Sequence, residues 1–185
     1  MKNSLNSNLK EKVIAGIMHI EGGFVDNPKD RGGRTKYGIT MATAVRAGFV
    51  GDIRQLPYSF AYEVYADKYW NVNMLDEVAA LSFSIAEEMA DTGINMGPGR
   101  AAKYLQRSLN VLNREEKLYD DIVVDGKMGI KTIFALKTFL QYRKEKGEVV
   151  LKRMLNALQV CKYIRIAEHD ESQEEFEFGW VFNRG

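Results

Sequence analysis

The chain has few of the residues that build disulfides or metal centres. Its 185 residues include one cysteine, Cys161, and two histidines, His19 and His169. A single cysteine excludes an intramolecular disulfide framework, and we predict a buried structural thiol because free cysteines are usually buried. The two histidines lie far apart in sequence without ligand-like spacing, so we predict no metal site and no cofactor.

The chain also lacks an excess of either charge and any long apolar run. Its 26 basic and 25 acidic residues give a net charge of +1, whereas nucleic-acid binders usually carry a basic excess. We therefore predict no nucleic-acid partner. Residues 1–10 contain no apolar segment of a secretory signal peptide, and no run approaches the roughly 20 apolar residues of a membrane helix. We expect synthesis in the cytoplasm without a signal peptide, and no stable membrane insertion.

What the chain does have is apolar periodicity, with 45% hydrophobic residues, enough for a core. Residues 23–39 are rich in Gly, Asp, Asn, Arg and Thr, which favours irregular chain or a short β-hairpin. Thr40 is a plausible N-cap. The predicted helices span residues 9–22, 41–47, 57–70, 76–94, 130–143 and 147–167, with one more beginning at Pro98. The predicted fold is mainly α, with a small N-terminal β-hairpin.

Glu21 is the first candidate for chemistry. It follows Ile14, Ile17 and Met18 at helical spacing, so the four residues share one helix face. A carboxylate at the end of an apolar stripe is partly desolvated, which raises its pKa toward that of a general acid. The glycines that follow stop the helix and turn the chain back.

Further polar residues follow within the glycine-rich segment. Hydrolysis of a glycoside generally needs a second carboxyl group, and Asp26 and Asp30 are the candidates there. Thr35 and Tyr37 are placed to hold a water or a sugar hydroxyl. Taken singly, each residue also has an ordinary structural explanation, since a helix-end Glu is commonly solvated and an Asp in such a segment commonly makes a turn.

The same segment resembles the signature of glycoside hydrolase family 108, the N-acetylmuramidases of phage endolysins and prophages. Some members carry the older label of secretion activator protein. The matching residues are Glu21-Gly22-Gly23-Phe24-Val25, Asn27-Pro28, Asp30, Gly32-Gly33, Thr35 and Tyr37-Gly38-Ile39-Thr40. The similarity continues through residues 52–57, 65–70, 95–102 and 105–106. Residues 105–135 are similar to the peptidoglycan-binding module usually paired with that family, although Asp125-Gly126 alone fits an ordinary turn.

The resemblance implies a lysozyme-like fold and cleavage of the β-1,4 bond after N-acetylmuramic acid in peptidoglycan glycan strands. It places the general acid on Glu21. Asp30 and Thr35 match the order of the assisting residues in phage-type lysozymes, and Asp26 is the competing assignment. That analogy predicts inversion, with the two carboxyl groups roughly 6.5–9.5 Å apart. We predict a lysozyme-like catalytic region in residues 1–94 and a helical peptidoglycan-binding region in residues 95–185, packed into one compact domain.

Three further positions are candidates for substrate binding. Tyr69 and Trp70 offer aromatic faces to a sugar, although such residues also fill cores. Asn95 either binds an N-acetyl group or caps a helix. The turn at residues 97–100 precedes a helix and is able to attract an anion.

Three other functions remain open at the level of sequence, one of them a helical phage structural protein that would neither bind nor cut the wall. A lytic transglycosylase also uses one Glu but forms an anhydro-sugar. A non-catalytic peptidoglycan-binding or secretion-activator module would bind the wall without cutting it. In either enzymatic case, action on the cell wall or periplasm would require release through a holin or an equivalent route.

Overall fold

The structure, a computed structural model, describes residues 2–25 and 34–182 of the chain. Side chains are described for these ranges except at residues 2–8, 20–21, 25, 176–177 and 180. By its internal contacts the chain divides into two compact units, Met1–Asn71 and Val72–Gly185. The division predicted between residues 94 and 95 remains a prediction.

The first unit combines helices with a small antiparallel sheet. Its helices are α1 (Lys2–Glu21), α2 (Met41–Arg46) and α3 (Tyr58–Tyr65). A short 3-10 turn covers Ile53–Gln55, and a π-helical turn, Ala66–Trp70, extends α3. The strands are β1 (Phe24–Val25), β2 (Thr35–Lys36) and β3 (Ile39–Thr40), in the order β1-β2-β3. The predicted hairpin is therefore confirmed, with a third strand paired to it.

The turn between β2 and β3 explains the sequence of the hairpin. Both of its residues have positive φ, 53° at Tyr37 and 70° at Gly38. A two-residue turn of this kind matches the twist of the flanking strands, and glycine adopts it without strain. Thr40 then caps α2 as predicted, because its hydroxyl accepts a hydrogen bond from the Thr43 backbone N–H at 3.2 Å.

The core of the first unit is built on the stripe predicted for α1. Ile14, Ile17 and Met18 are all buried, which confirms the helical periodicity of this segment. They belong to the helix that packs against α3 and the following π-helical turn. This packing fixes the C-terminal end of α1, where Glu21 lies.

The second unit contains helices joined by irregular segments, and no strand among the residues described. A 3-10 turn, Asn71–Asn73, leads to α4 (Leu75–Leu81), α5 (Phe83–Met96), α6 (Pro98–Leu112), α7 (Ile130–His169) and α8 (Glu174–Phe182). The prediction of one helix over residues 76–94 was wrong, because Ser82 has an extended backbone and interrupts it. The Ser82 hydroxyl accepts a hydrogen bond from the Ile85 N–H at 3.2 Å and so starts α5.

The long helix α7 consists of two helical parts. Lys144 has φ 52° and ψ −143° within it, so the two separately predicted helices over residues 130–143 and 147–167 are confirmed. The buried core of the second unit includes Ile85 and Met89 on α5, Leu105 and Leu109 on α6, and Leu136, Phe139, Leu151 and Leu155 on α7.

The prediction of a buried Cys161 was wrong, since this thiol is exposed. Leu155, Gln159, Tyr163 and Ala167 are buried at four-residue spacing on α7. Cys161 lies two positions from the nearest of them, which places it on the opposite side of the helix. Among the helices described, none is long and apolar enough to cross a membrane.

Candidate active site

Glu21 is the last residue of α1. It lies one helical turn beyond the buried Ile17 and Met18. Gly22 ends the helix with φ 74°, and its N–H donates to the Met18 carbonyl at 3.2 Å. This is the left-handed glycine termination expected at a helix C-terminus. The structure thus fixes where the backbone of Glu21 lies, and the general-acid role stays a prediction.

The hairpin returns to this helix end through a backbone hydrogen bond. The Tyr37 N–H donates to the Gly23 carbonyl at 3.3 Å. In the sheet, Thr35 pairs with Val25 on one side and Thr40 on the other. Thr35 therefore belongs to the central strand, where its side chain is half-buried. Two of the predicted site residues, Thr35 and Tyr37, are thus held on the sheet that follows Glu21.

A cleft of about 630 Å³ lies at the end of α1. It is lined by Ala15, Met18, His19, Gly22, Gly23, Tyr37 and Tyr58. The Tyr37 and Tyr58 rings meet edge to face, with centroids 5.8 Å apart and planes at 87°. A cleft with paired aromatic rings suits a sugar ring, which stacks on such faces while its hydroxyls bind polar groups.

Tyr65 positions the turn of the hairpin. Its hydroxyl donates a hydrogen bond to the Tyr37 carbonyl at 2.7 Å. The Lys36 ammonium group donates to the Arg54 carbonyl at 2.6 Å, which ties the neighbouring strand residue to the 3-10 turn. These two contacts hold the hairpin against the helical part of the first unit.

The sequence analysis missed Tyr58 and Tyr65 as site residues. They lie seven positions apart on α3, so they share a helix face, and this spacing is the only local signal they carry. Their relation to Tyr37 depends on a tertiary contact between segments more than 20 residues apart. Helical or strand periodicity cannot predict contacts between segments so far apart in sequence.

The two aromatic residues predicted to bind substrate differ sharply in exposure. Tyr69 is half-buried and stacks on Tyr65, with centroids 6.2 Å apart and planes at 13°. The Lys68 ammonium group lies 4.9 Å from the Tyr69 ring centroid. Trp70 is 0% exposed, so the prediction that its face stacks on sugar was wrong. It belongs to the buried core instead.

Asn95 lies in the second unit, near the C-terminal end of α5. Its side-chain amide donates to the Asp91 carbonyl at 2.8 Å. The alternative prediction, that Asn95 caps the next helix, was wrong because Gly97 is the N-cap of α6. Binding of an N-acetyl group by Asn95 remains a prediction.

The remaining predicted residues, Asp26 and Asp30, lie outside the residues that the structure describes. Within the described ranges, no group of three or more His, Cys, Asp or Glu side chains is arranged to hold a metal ion.

Comparison with known families divides the chain into two parts. Residues 14–97 match the family model described as glycosyl hydrolase 108. Residues 14–97 are a glycosyl hydrolase 108 domain. Residues 100–185 match the model described as a predicted peptidoglycan domain. The first match supports a glycoside hydrolase, and the second supports peptidoglycan as the polymer it acts on.

A solved structure supports the same fold for almost the whole chain. The chain is similar to Brucella abortus SagA at 26% identity and a TM-score of 0.57, over 96% of this chain and 90% of that one. The predicted fold, mainly α and lysozyme-like with a small N-terminal β element, is confirmed. No curated protein matches the sequence.

Proposed function

We propose that this glycosyl hydrolase 108 protein is an N-acetylmuramidase, which hydrolyses the β-1,4 bond after N-acetylmuramic acid in peptidoglycan. The observation that carries the proposal is the family match over residues 14–97. That range contains the last residues of α1, the three-stranded sheet and the cleft at the end of α1. The family match and the cleft of the first unit both support hydrolysis of a glycan strand.

Glu21 is the general acid in this proposal. It stands between cleft-lining residues in sequence, since Met18 and His19 precede it and Gly22 and Gly23 follow it. A general acid must donate a proton to the leaving oxygen as the glycosidic bond breaks. A general acid that works near neutral pH needs a carboxyl group that holds its proton more readily than one in water.

A second carboxyl group assists at the opposite face of the sugar. Asp30 is our first choice and Asp26 our second, and either would direct a water to the anomeric carbon. Thr35 positions that water, and Tyr37 and Tyr69 contact the glycan. This arrangement gives inversion of the anomeric centre, so the carboxyl groups would lie roughly 6.5–9.5 Å apart. Product NMR that finds the retained β-anomer would refute inversion.

Substitution of each carboxylate tests the assignment. Purified peptidoglycan is treated with the wild type and with Glu21→Gln, Asp26→Asn and Asp30→Asn. Glu11→Gln is the matched control, because Glu11 is an exposed residue of the same helix. We expect clearing by the wild type and Glu11→Gln, loss of clearing in Glu21→Gln, and a stronger effect at Asp30 than at Asp26.

Product mass spectrometry separates the rival functions. Hydrated reducing-end muramic acid supports a muramidase, whereas anhydro ends identify a lytic transglycosylase. Binding to the wall without cleavage by any variant identifies a binding or secretion-activator module, a function that the match of residues 100–185 also favours. Action on the cell wall after release through a holin or equivalent route is part of the same proposal.

A further inference from the structure

Helix α6 carries three cationic side chains around one cavity. Arg100, Lys103 and Arg107 follow one another at three- and four-residue spacing, so they share a helix face. They line a cavity of about 450 Å³, and all three are exposed. Among the residues that the structure describes, none of the three forms a side-chain hydrogen bond or an ion pair. Like charges at this spacing repel, and an anion in the cavity would relieve that repulsion.

Hydrogen bonds from a buried side chain hold the turn that forms one wall of the cavity. Gln106 is 1% exposed. Its amide donates to the Asp125 carboxylate and the Lys127 carbonyl, both at 3.0 Å, and it accepts from the Gly126 N–H at 2.9 Å. Gly126 has φ 79°, and a Cβ there would lie 2.6 Å from the Gly99 carbonyl oxygen. The turn at residues 125–127 is therefore pressed against the start of α6.

The one carboxylate that lines the cavity is already engaged. Asp125 accepts hydrogen bonds from the Lys127 N–H at 2.8 Å and from Gln106. These bonds hold the pKa of Asp125 below its ordinary value. Asp125 therefore stays ionised and offsets one of the three positive charges, so the lining of the cavity keeps a net positive charge.

The start of α6 adds one backbone donor, the Gly99 N–H, because Pro98 has no N–H and the Arg100 and Ala101 N–H groups donate to the Gly97 carbonyl. Gly97, the N-cap, supplies no side chain to the first turn of the helix, and Gly99 lines the cavity. Free N–H groups at a helix N-terminus attract anions. Tyr104 is 6% exposed and also lines the cavity. Within the described part of the chain, its hydroxyl has only the Met96 sulfur as a partner, at 3.8 Å. That weak contact leaves the hydroxyl free to donate to a stronger acceptor.

We propose that this cavity binds the carboxylates of the peptide stems of peptidoglycan. The inference rests on peptidoglycan as the substrate in the proposed function. The glycan strand itself is uncharged where its lactyl groups are joined to peptide, so the negative charge of the polymer lies on the stem peptides. Three cations and a helix N-terminus are complementary to those carboxylates and not to neutral sugar.

The test compares two triple variants of the full chain. Arg100→Gln/Lys103→Gln/Arg107→Gln removes the cations of the cavity. Lys137→Gln/Arg153→Gln/Arg165→Gln removes the same charge from exposed positions of α7 and is the matched control. Both sets are built in the Glu21→Gln background to limit cleavage during binding. Far-UV circular dichroism and the melting temperature establish folding, and single variants Arg100→Gln and Arg107→Gln replace the triple variant if it fails to fold.

The binding probes distinguish peptide from glycan and from phosphate. They are sacculi from a Gram-negative wall, which carry no teichoic phosphate, the same sacculi stripped of stem peptides by an amidase, and inorganic phosphate as competitor. On intact sacculi we expect the cavity variant to bind at least about tenfold more weakly and the control to stay within about twofold. On stripped glycan we expect the background protein and both variants to bind equally.

Three results would overturn the proposal. The first is an equal loss of binding in the cavity variant and the control, and the second is a loss that persists unchanged on stripped glycan. The third is displacement of the protein from intact sacculi by inorganic phosphate at millimolar concentration. Cleavage by the otherwise wild-type chain is measured separately. Absent cleavage with peptide-dependent binding refutes the muramidase alone, and cleavage without peptide-dependent binding refutes the cavity alone.

Discussion

Glu88 is a buried carboxylic acid, and its titration should make the free energy of unfolding depend on pH. It lies on α5 and is 8% exposed. Burial raises the pKa of Glu88 from its ordinary value of 4.5 to about 7, with smaller increases from Asp91 and Glu87 and an opposing effect of Lys152. With its amide oriented as the hydrogen-bond pattern requires, Asn156 donates to both oxygens of Glu88.

The sign of the pH dependence follows from the raised pKa. Between pH 4.5 and 7 the folded protein holds the Glu88 proton more tightly than the unfolded chain. The free energy of unfolding therefore falls as pH rises through this window and changes no further above it. At about 1.4 kcal/mol for each tenfold change in proton affinity, the full effect is at most about 3 kcal/mol. We expect about 2 kcal/mol, because hydrogen bonds from Asn156 favour the charged carboxylate.

Replacement of Glu88 by glutamine tests this magnitude. Glu88→Gln is neutral at every pH, so its free energy of unfolding relative to wild type should rise by about 2 kcal/mol between pH 4.5 and pH 8. Urea denaturation at intervals of pH measures the difference. Glu77→Gln is the control, since Glu77 is exposed on α4, and it should show no comparable step. A Glu88→Gln difference that stays flat within about 0.5 kcal/mol would refute the reasoning.

Three further substitutions follow from the packing. Tyr65→Phe removes the hydrogen bond to the Tyr37 carbonyl, so denaturation should show a loss of about 1 kcal/mol, and an unchanged stability would contradict that contact. Gly126→Ala would bring a methyl group against the Gly99 carbonyl at positive φ, so the melting temperature should fall, by several degrees for a loss of about 1–3 kcal/mol. Leu105→Ala opens a cavity at a side chain that is 0% exposed, with an expected loss of about 2–5 kcal/mol by urea denaturation; a loss under about 1 kcal/mol would contradict tight packing there.

The features that sequence predicted are those encoded locally. The stripe of Ile14, Ile17 and Met18 has a helical period, and burial follows from that period. The break between the two halves of α7 lies at Lys144, just before Gly147, a residue type with low helix propensity. The glycine-rich segment predicted a turn and a hairpin because positive φ is accessible to glycine. Local chemistry of this kind needs no knowledge of the rest of the fold.

The features that sequence missed depend on tertiary contacts. Trp70 and a surface-stacking aromatic look alike in sequence, and only packing reveals that Trp70 is fully buried. The prediction of a buried Cys161 rests on the general burial of free cysteines, whereas its position on α7 faces away from the buried side chains. The link from Tyr65 to Tyr37 joins α3 to the hairpin across 28 positions. Such contacts produce no periodic pattern in the sequence.

The most direct test of the central claim is the rate at which purified peptidoglycan clears with wild type, Glu21→Gln and Glu11→Gln, with the products identified by mass spectrometry. The account predicts hydrated reducing-end muramic acid from wild type and Glu11→Gln at similar rates. It predicts a rate for Glu21→Gln that is lower by about 100-fold or more, the typical contribution of a general acid. Clearing by Glu21→Gln at the wild-type rate, or anhydro products from the wild type, would contradict it.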